Sequence, residues 1–289
     1  MAKPMVAVIA AGAMGSGVGW RLATSGVDVV TSLTGRSRAS AERAEKAGMR
    51  GVPEAEIAKA TIILSIVPPS EALGLAERLA PVLKAAAHKP LYIDCNAVSS
   101  ATVEKIGAVI AATGAPFGDG GIMGGPPREG YDGPAIYVSG VAKSAVQPLI
   151  AGGLKIKHLD APVGAASAVK MSYAAITKGL TALASASILA ASRYGAAEAL
   201  HGELSASQKT ILAAVSRSVP EMFSKAYRFV GEMEEIAEHS GRVSTAGIYH
   251  GLAALFQEIA DDRQGDRHDI AVLTRFFETG LDPIGRKRD

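Results

Sequence analysis

The sequence has one cysteine, Cys95, in 289 residues. That excludes an intrachain disulfide and any metal site built from several cysteines. Cys95 lies in an apolar stretch, where a buried structural thiol is expected rather than a nucleophile. An excess of charge is also missing: 30 Lys and Arg stand against 28 Asp and Glu, a formal net charge of +2. No basic run carries interleaved aromatics, so nothing points to nucleic acid. No stretch offers about 18 uninterrupted apolar residues with the flanks of a membrane span. The first residues lack the layout of a signal peptide, and no internal repeat is present. These absences predict a soluble, cytoplasmic protein with no metal site, no nucleic-acid partner and no membrane partner. The basic cluster GRKRD at 285–289 is expected to be a solvated end. The hydrophobic content of 48% and charged content of 20% suit a chain with a substantial core.

What is present is alternation. Residues 5–10 (MVAVIA), 27–33, 61–67 (TIILSIV), 91–95 and 135–139 (AIYVS) are short apolar runs, the pattern of strands buried on both faces. Residues 14–25, 39–47, 70–83 and 99–112 read as the helices between them. Gly48 supplies a C-cap, and Ser70 an N-cap with Glu71 in the first turn. Alternating strands and helices predict an α/β domain with a doubly wound, mainly parallel sheet. Beyond residue 164 no strand is expected. An Ala-rich helix over 166–194 is followed by helices at about 205–217, 219–239, 244–261 and 267–279. The expected organisation is a nucleotide-binding domain over residues 1–162 and an all-α domain over 163–289.

The stretch AAGAMG at 10–15 joins the first strand to the first helix. Glycines in such a turn let backbone amides and the helix N-terminus approach a pyrophosphate. Gly12 and Gly15 take the second and third positions of a G-x-G-x-x-G pattern, with Ala10 at the first and Ala13 and Met14 between. No Asp or Glu follows the second strand, where a carboxylate would accept from a ribose 2′-hydroxyl. Arg36, Ser37 and Arg38 stand there instead, offering donors and positive charge to a 2′-phosphate. The turn predicts a dinucleotide site, and the arginines predict NADP(H).

With the second half in view the chain resembles the β-hydroxyacid dehydrogenases, the superfamily of 3-hydroxyisobutyrate dehydrogenases, 6-phosphogluconate dehydrogenases and imine reductases. AGAMG (11–15) is similar to the family's GLGxMG, and GRS (35–37) to its NRS or NRT. IVPPSEAL (66–73) and DCNAVSS (94–100) lie where the family has loops near the nicotinamide. DGGIMGG (119–125) resembles the substrate-binding DAPVSGG, and VGAASAVKMSYA (163–174) the catalytic GxGxxxKxxNN. SYAAITKG (172–179) and KAYRFVGEMEEIA (225–237) resemble a subgroup with its own phosphogluconate-dehydrogenase-like helical C-terminal domain. The resemblance implies a Rossmann domain, a helical domain and a homodimer. It also implies cofactor contacts at Val67, Pro68 and Asn96, and substrate contacts at Met123, Gly124 and Gly125. The chain departs from the pattern at Tyr173 and Ala174, where the family has paired asparagines, and at Met123, where it has a serine.

Reducing a carbonyl needs a hydride at carbon and a proton at oxygen. The nicotinamide supplies the first, and the resemblance makes Lys170 the proton donor. Lys170 sits in an apolar helix between Val169 and Met171, where burial would bring its pKa toward neutrality; the alternative is a lysine snorkelling to water. Asn96 either holds the nicotinamide or serves its own turn. Tyr173 either donates a proton or hydrogen bond, or packs or contacts substrate. Lys178, about two helical turns beyond Lys170, either binds an anionic substrate or is exposed. Glu232, Glu234 and Glu235 read as a solvated helix face, and His239 as a partner along the helix. His250 is too isolated for a metal site. Three readings stay open: an NADP(H)-dependent oxidoreductase of a small carbonyl or hydroxyl substrate, an imine reductase, and a non-catalytic NADP(H)-binding sensor or scaffold.

Overall fold

In the computed structural model, which describes residues 4–278, MVAVI forms strand β1 (Met5–Ile9). Side chains alternate across a strand, and both sets are buried here. Val6 and Val8 join one apolar cluster with Val18 and Leu22 of helix α1 (Ala13–Thr24). Ala7 and Ile9 join the other, with Leu75 and Leu79 of α4 (Ala72–Ala85) and Ile106 of α5 (Ser100–Ala111). Two-sided burial explains why these strands are continuous apolar runs.

The remaining strands are β2 (Asp28–Thr31), β3 (Arg50–Gly51), β4 (Ile62–Ser65), β5 (Leu91–Asp94), β6 (Phe117–Met123), β7 (Ala135–Ser139) and β8 (Lys155–His158). They form one eight-stranded sheet in the order β3-β2-β1-β4-β5-β6-β7-β8. Pairing is parallel from β3 to β6, antiparallel between β6 and β7, and parallel again to β8. The α/β expectation is met. The strand order reverses between β1 and β4, and ligands of such sheets bind outside the carboxyl ends of strands at that point. The shorter helices are α2 (Arg38–Lys46), α3 (Glu54–Ile57) and α6 (Gln147–Ala151).

Two expectations need correction in this region. Residues 119–125, where the resemblance implies substrate contacts, were given no strand, but most of them belong to β6, inside the sheet. Its glycines, poor strand formers, hide it. They are there for close approach: a Cβ at Gly120 would stand 2.8 Å from Cys95 Sγ, and one at Gly121 2.7 Å from the Ala166 carbonyl. β8 was not expected either. It is an edge strand, KIKH, with exposed Lys155 and Lys157 in place of an apolar run.

The chain parts into two compact units after Met171, whereas the expectation drew the line at Pro162. The opening turns of the 29-residue helix α7 (Ala165–Arg193) belong to the first unit. They are tied to the sheet by hydrogen bonds described below.

The second unit continues α7 and adds α8 (Ala197–Ser207), α9 (Lys209–Met222), α10 (Ala226–Ser240), α11 (Val243–Gln264) and α12 (His268–Glu278). Its core holds Val219, Met233, Ile236, Phe256, Leu273 and Phe276. Phe229 meets Phe256 edge-on at 5.3 Å. Gly241 ends α10 with φ 65, and the Asp262 carboxylate accepts from the amides of Asp269 and Ile270 at the head of α12. The helices expected at 205–217 and 219–239 are displaced. Pro220 reads as a helix start but lies in the last turn of α9, and α8 had not been expected. Residue 279, the expected last helical position, and the basic tail at 285–289 lie outside the described residues. By length and mean hydropathy (1.4) α7 is long and apolar enough to cross a membrane; Lys170 and Lys178 interrupt its apolar run.

Candidate cofactor and active site

Gly12 is the N-cap of α1, and no side chain caps that helix. Its first amides therefore remain as donors at the positive end of the helix dipole. A Cβ at Gly12 would enter open space, whereas one at Gly15 would overlap the Ala10 carbonyl and lie 3.6 Å from Val8. Gly15 thus serves helix–strand packing, and Gly12 keeps an approach to the amides clear. Ala13 is exposed and Met14 half-buried beside them. Arg43, which the sequence reading passed over, donates from Nε to the Ala11 carbonyl at 3.1 Å and from Nη2 to Ser40 Oγ at 2.9 Å. It ties α2 to the glycine turn. Its place seven residues after Arg36 in a polar helix carried no sequence signal.

Ser37 is the N-cap of α2, its Oγ accepting from the Ser40 amide at 3.3 Å. Arg38 points to solvent and pairs with Glu42 one turn along. Arg36 is more enclosed. It lines a cavity of about 470 Å³ with Thr34, Gly35, Ser70, Glu71 and Arg78. Open space at Gly12, uncapped α1 amides and a guanidinium beyond β2 fit a dinucleotide.

Val67 and Pro68 follow β4, the first half-buried and the second exposed. Asn96 is buried. It is 3% exposed, and its Oδ1 accepts from the Val67 amide at 2.7 Å while Nδ2 donates to Ser65 Oγ (2.8 Å) and Asp94 Oδ2 (2.6 Å). Both amide protons are used within the protein, and Oδ1 holds the Val67 segment. Burial pushes the Asp94 carboxyl up to about 7, against hydrogen bonds from Asn96 that lower it. Burial also pushes the Cys95 thiol up, which agrees with a structural role.

Lys170 lies near the start of α7, and its Cβ would be 3.3 Å from a Cβ built at Gly121. Burial lowers its pKa. Among the described residues it has no hydrogen-bond or ion-pair partner. The buried carboxylate of Asp119 fixes this turn of the helix. It accepts from Ser167 N (3.0 Å), Ser167 Oγ (2.6 Å) and Ser139 Oγ (3.2 Å), while Ser139 Oγ accepts from the Ala166 amide at 3.1 Å. A negative group at a helix N-terminus is stabilised there, so Asp119 clamps α7 one turn ahead of Lys170. Sequence reading gave Asp119 no role of its own. Met123 ends β6 half-buried, and Gly124 (φ 129) and Gly125 are exposed after it.

In the second unit Tyr173 is exposed. Lys178 is neither exposed nor unpaired: its ammonium bonds Glu232 of α10 and stands 4.5 Å from the centre of the Phe229 ring. The acidic segment of α10 is therefore partly paired, and Glu234 also meets His250 at 2.8 Å.

Residues 5–152 match the family described as the NAD binding domain of 6-phosphogluconate dehydrogenase, and residues 191–259 match a domain family of unknown function. No curated protein matches the chain. Among solved structures, the conserved protein of unknown function MTH1747, described as similar to 3-hydroxyacid dehydrogenases, is 28% identical. That match covers 90% of this chain and 98% of that one, with a TM-score of 0.72. The 3-hydroxyisobutyrate dehydrogenase of Mycobacterium tuberculosis is 17% identical over 96% and 99% of the two chains, with a TM-score of 0.66. An imine reductase from Myxococcus stipitatus in complex with NADP+ is 18% identical over 95% and 99%, with a TM-score of 0.53. The last two likenesses are likenesses of fold. With its glycine turn, sheet order and half of its length matched, this chain belongs to the family of the 6-phosphogluconate dehydrogenase NAD-binding domain, within the hydroxyacid dehydrogenase-like superfamily.

Proposed function

We propose that this protein is an NADP(H)-dependent oxidoreductase of a small carbonyl or hydroxyl substrate, with Lys170 as its general acid and base. The observation that carries this reading is the desolvated Lys170 beside Gly121 of β6, without a hydrogen-bond or ion-pair partner among the described residues. Burial disfavours the charged ammonium, which therefore holds its proton less tightly. The bound nicotinamide supplies or accepts the hydride. As the substrate oxygen gains charge, Lys170 Nζ gives it a proton, the neutral amine then being reprotonated from water; in the oxidative direction the amine takes the hydroxyl proton. The α1 amides would receive the pyrophosphate, and Arg36 the 2′-phosphate. Met123, Gly124 and Gly125 would contact the substrate. Lys178, neutralised by Glu232, would act on it only through packing. A sensor would have no use for a desolvated lysine.

The half-buried Met123 favours one second reading, reduction of a C=N bond, where no carboxylate needs a polar partner. NADPH oxidation against aldehyde acids, ketones, lactones and cyclic imines, with wild type and Lys170→Met side by side, separates the two. Lysine-dependent turnover of a carbonyl class supports the first reading, and turnover of imines alone, insensitive to Lys170, the second. The assembly we propose is a homodimer. Val169, Tyr173, Ile176 and Leu183 make an exposed apolar stripe on α7. A monomer alone in sedimentation at micromolar concentration would overturn it.

A further inference from the structure

The residues after β2 contain no carboxylate, and that absence suggests NADP(H). The fold nevertheless brings a carboxylate to the same place from another element. Glu71 ends the short 3₁₀ turn Pro69–Glu71 ahead of α4, and its Oε2 lies 3.7 Å from Arg36 Nη1. Both residues line the cavity beyond β2, together with Ser70, Thr34 and Gly35. The other guanidinium of that cavity, Arg78, is held 3.1 Å from Glu54. Arg36 therefore meets the cavity with Glu71 as its ion-pair partner among the described residues.

We propose that Glu71 determines how strongly the chain distinguishes NADPH from NADH. The proposal rests on the reading that Arg36 receives the ribose end of the cofactor. A 2′-phosphate must take Arg36 from Glu71 and then stand beside a second anion. An unphosphorylated ribose pays neither cost, because a 2′-hydroxyl can donate to the carboxylate while the Arg36–Glu71 pair stays intact. Glu71 thus supplies, from the far side of the cavity, the acceptor that the end of β2 lacks. Its contact with Arg36 is partly solvated, with side chains 25% and 51% exposed, so it tunes the preference rather than abolishing either binding mode.

The test is fluorescence titration of the full-length protein with NADPH and with NADH, for wild type, Glu71→Gln, Glu71→Asp, Arg36→Ala and the Arg36→Ala/Glu71→Gln double variant. Removing a partly exposed charge should tighten NADPH about fivefold and weaken NADH by a few-fold in Glu71→Gln. Glu71→Asp should stay near wild type. In the Arg36→Ala background the gain for NADPH should shrink, and raised ionic strength should shrink it in every background. Equal changes for both cofactors, or no change for either while Arg36→Ala still weakens NADPH, would overturn the role of Glu71 and leave the role of Arg36 standing. If Arg36→Ala leaves NADPH affinity unchanged, the underlying reading of Arg36 fails, and the proposal fails with it.

Discussion

The two units bury polar groups in different ways. Where β4, β5 and β7 end and β6 begins, and at the head of α7, six polar residues, Ser65, Asp94, Asn96, Asp119, Ser139 and Ser167, are buried and bonded mainly to one another. In the second unit the buried polar residues among those described are Thr181 and Ser185, and Ser185 bonds back to its own helix. A buried polar network is costly unless every member is satisfied. Its concentration where the head of α7, with Lys170, meets the sheet marks a surface held in one geometry. The second unit is held by apolar packing, which tolerates small rearrangements.

The comparison breaks most directly at Asp119. Asp119→Ala should cost about 3 kcal/mol or more, because three donors lose a charged acceptor in a buried site. Denaturant unfolding measures this, and a loss under about 1 kcal/mol would mean that the network does not clamp α7. Lys170→Met sharpens the comparison from the functional side. Turnover should fall about a hundredfold or more while stability at neutral pH rises, since a desolvated ammonium has been removed. The native pKa of Lys170 lies below its unfolded value, so the unfolded chain binds more protons between them. Wild-type stability therefore climbs as pH rises toward about 10.4, and the Met variant lacks that climb.

Asp94 gives the opposite slope. Its native value of about 7 exceeds the unfolded value of about 3.9, so the native state binds the extra proton. Stability should fall as pH rises from about 4 to about 7, and Asp94→Asn should flatten that stretch of an unfolding profile. The smallest effect belongs to the second unit. Glu232→Gln breaks the pair with Lys178, whose side chains are 18% and 22% exposed, and should cost about 1 kcal/mol or less, shrinking with salt. A loss as large as that at Asp119 would erase the distinction between the units.

The fold's outline was legible where burial is two-sided: β1, β4 and β5 announce themselves as apolar runs, and the glycine turn stands between a strand and a helix. The burial of Lys170 was legible because a charge in an apolar helix needs a reason. Other features were not. β6 carries glycines where strand formers are usual, and its identity depends on Cys95 and Ala166 pressing against it. The saturated amide of Asn96 depends on Ser65 and Val67, about thirty residues away in sequence. The approach of Glu71 to Arg36 depends on β4 lying beside β1 in the sheet. In each case the deciding contact joins residues far apart in the chain, where periodicity carries no information.

Gly120 and Gly121 carry no side chain, yet a saturation scan would leave both positions blank. Any side chain at 121 must move the Ala166 backbone and the Lys170 stem, and any at 120 must move Cys95 and the Asp94 carbonyl. Depletion at these two sites would look like that of substrate-contacting residues. Attempts to vary this region should leave the pair alone and spend their diversity at half-buried Met123, where the strand ends.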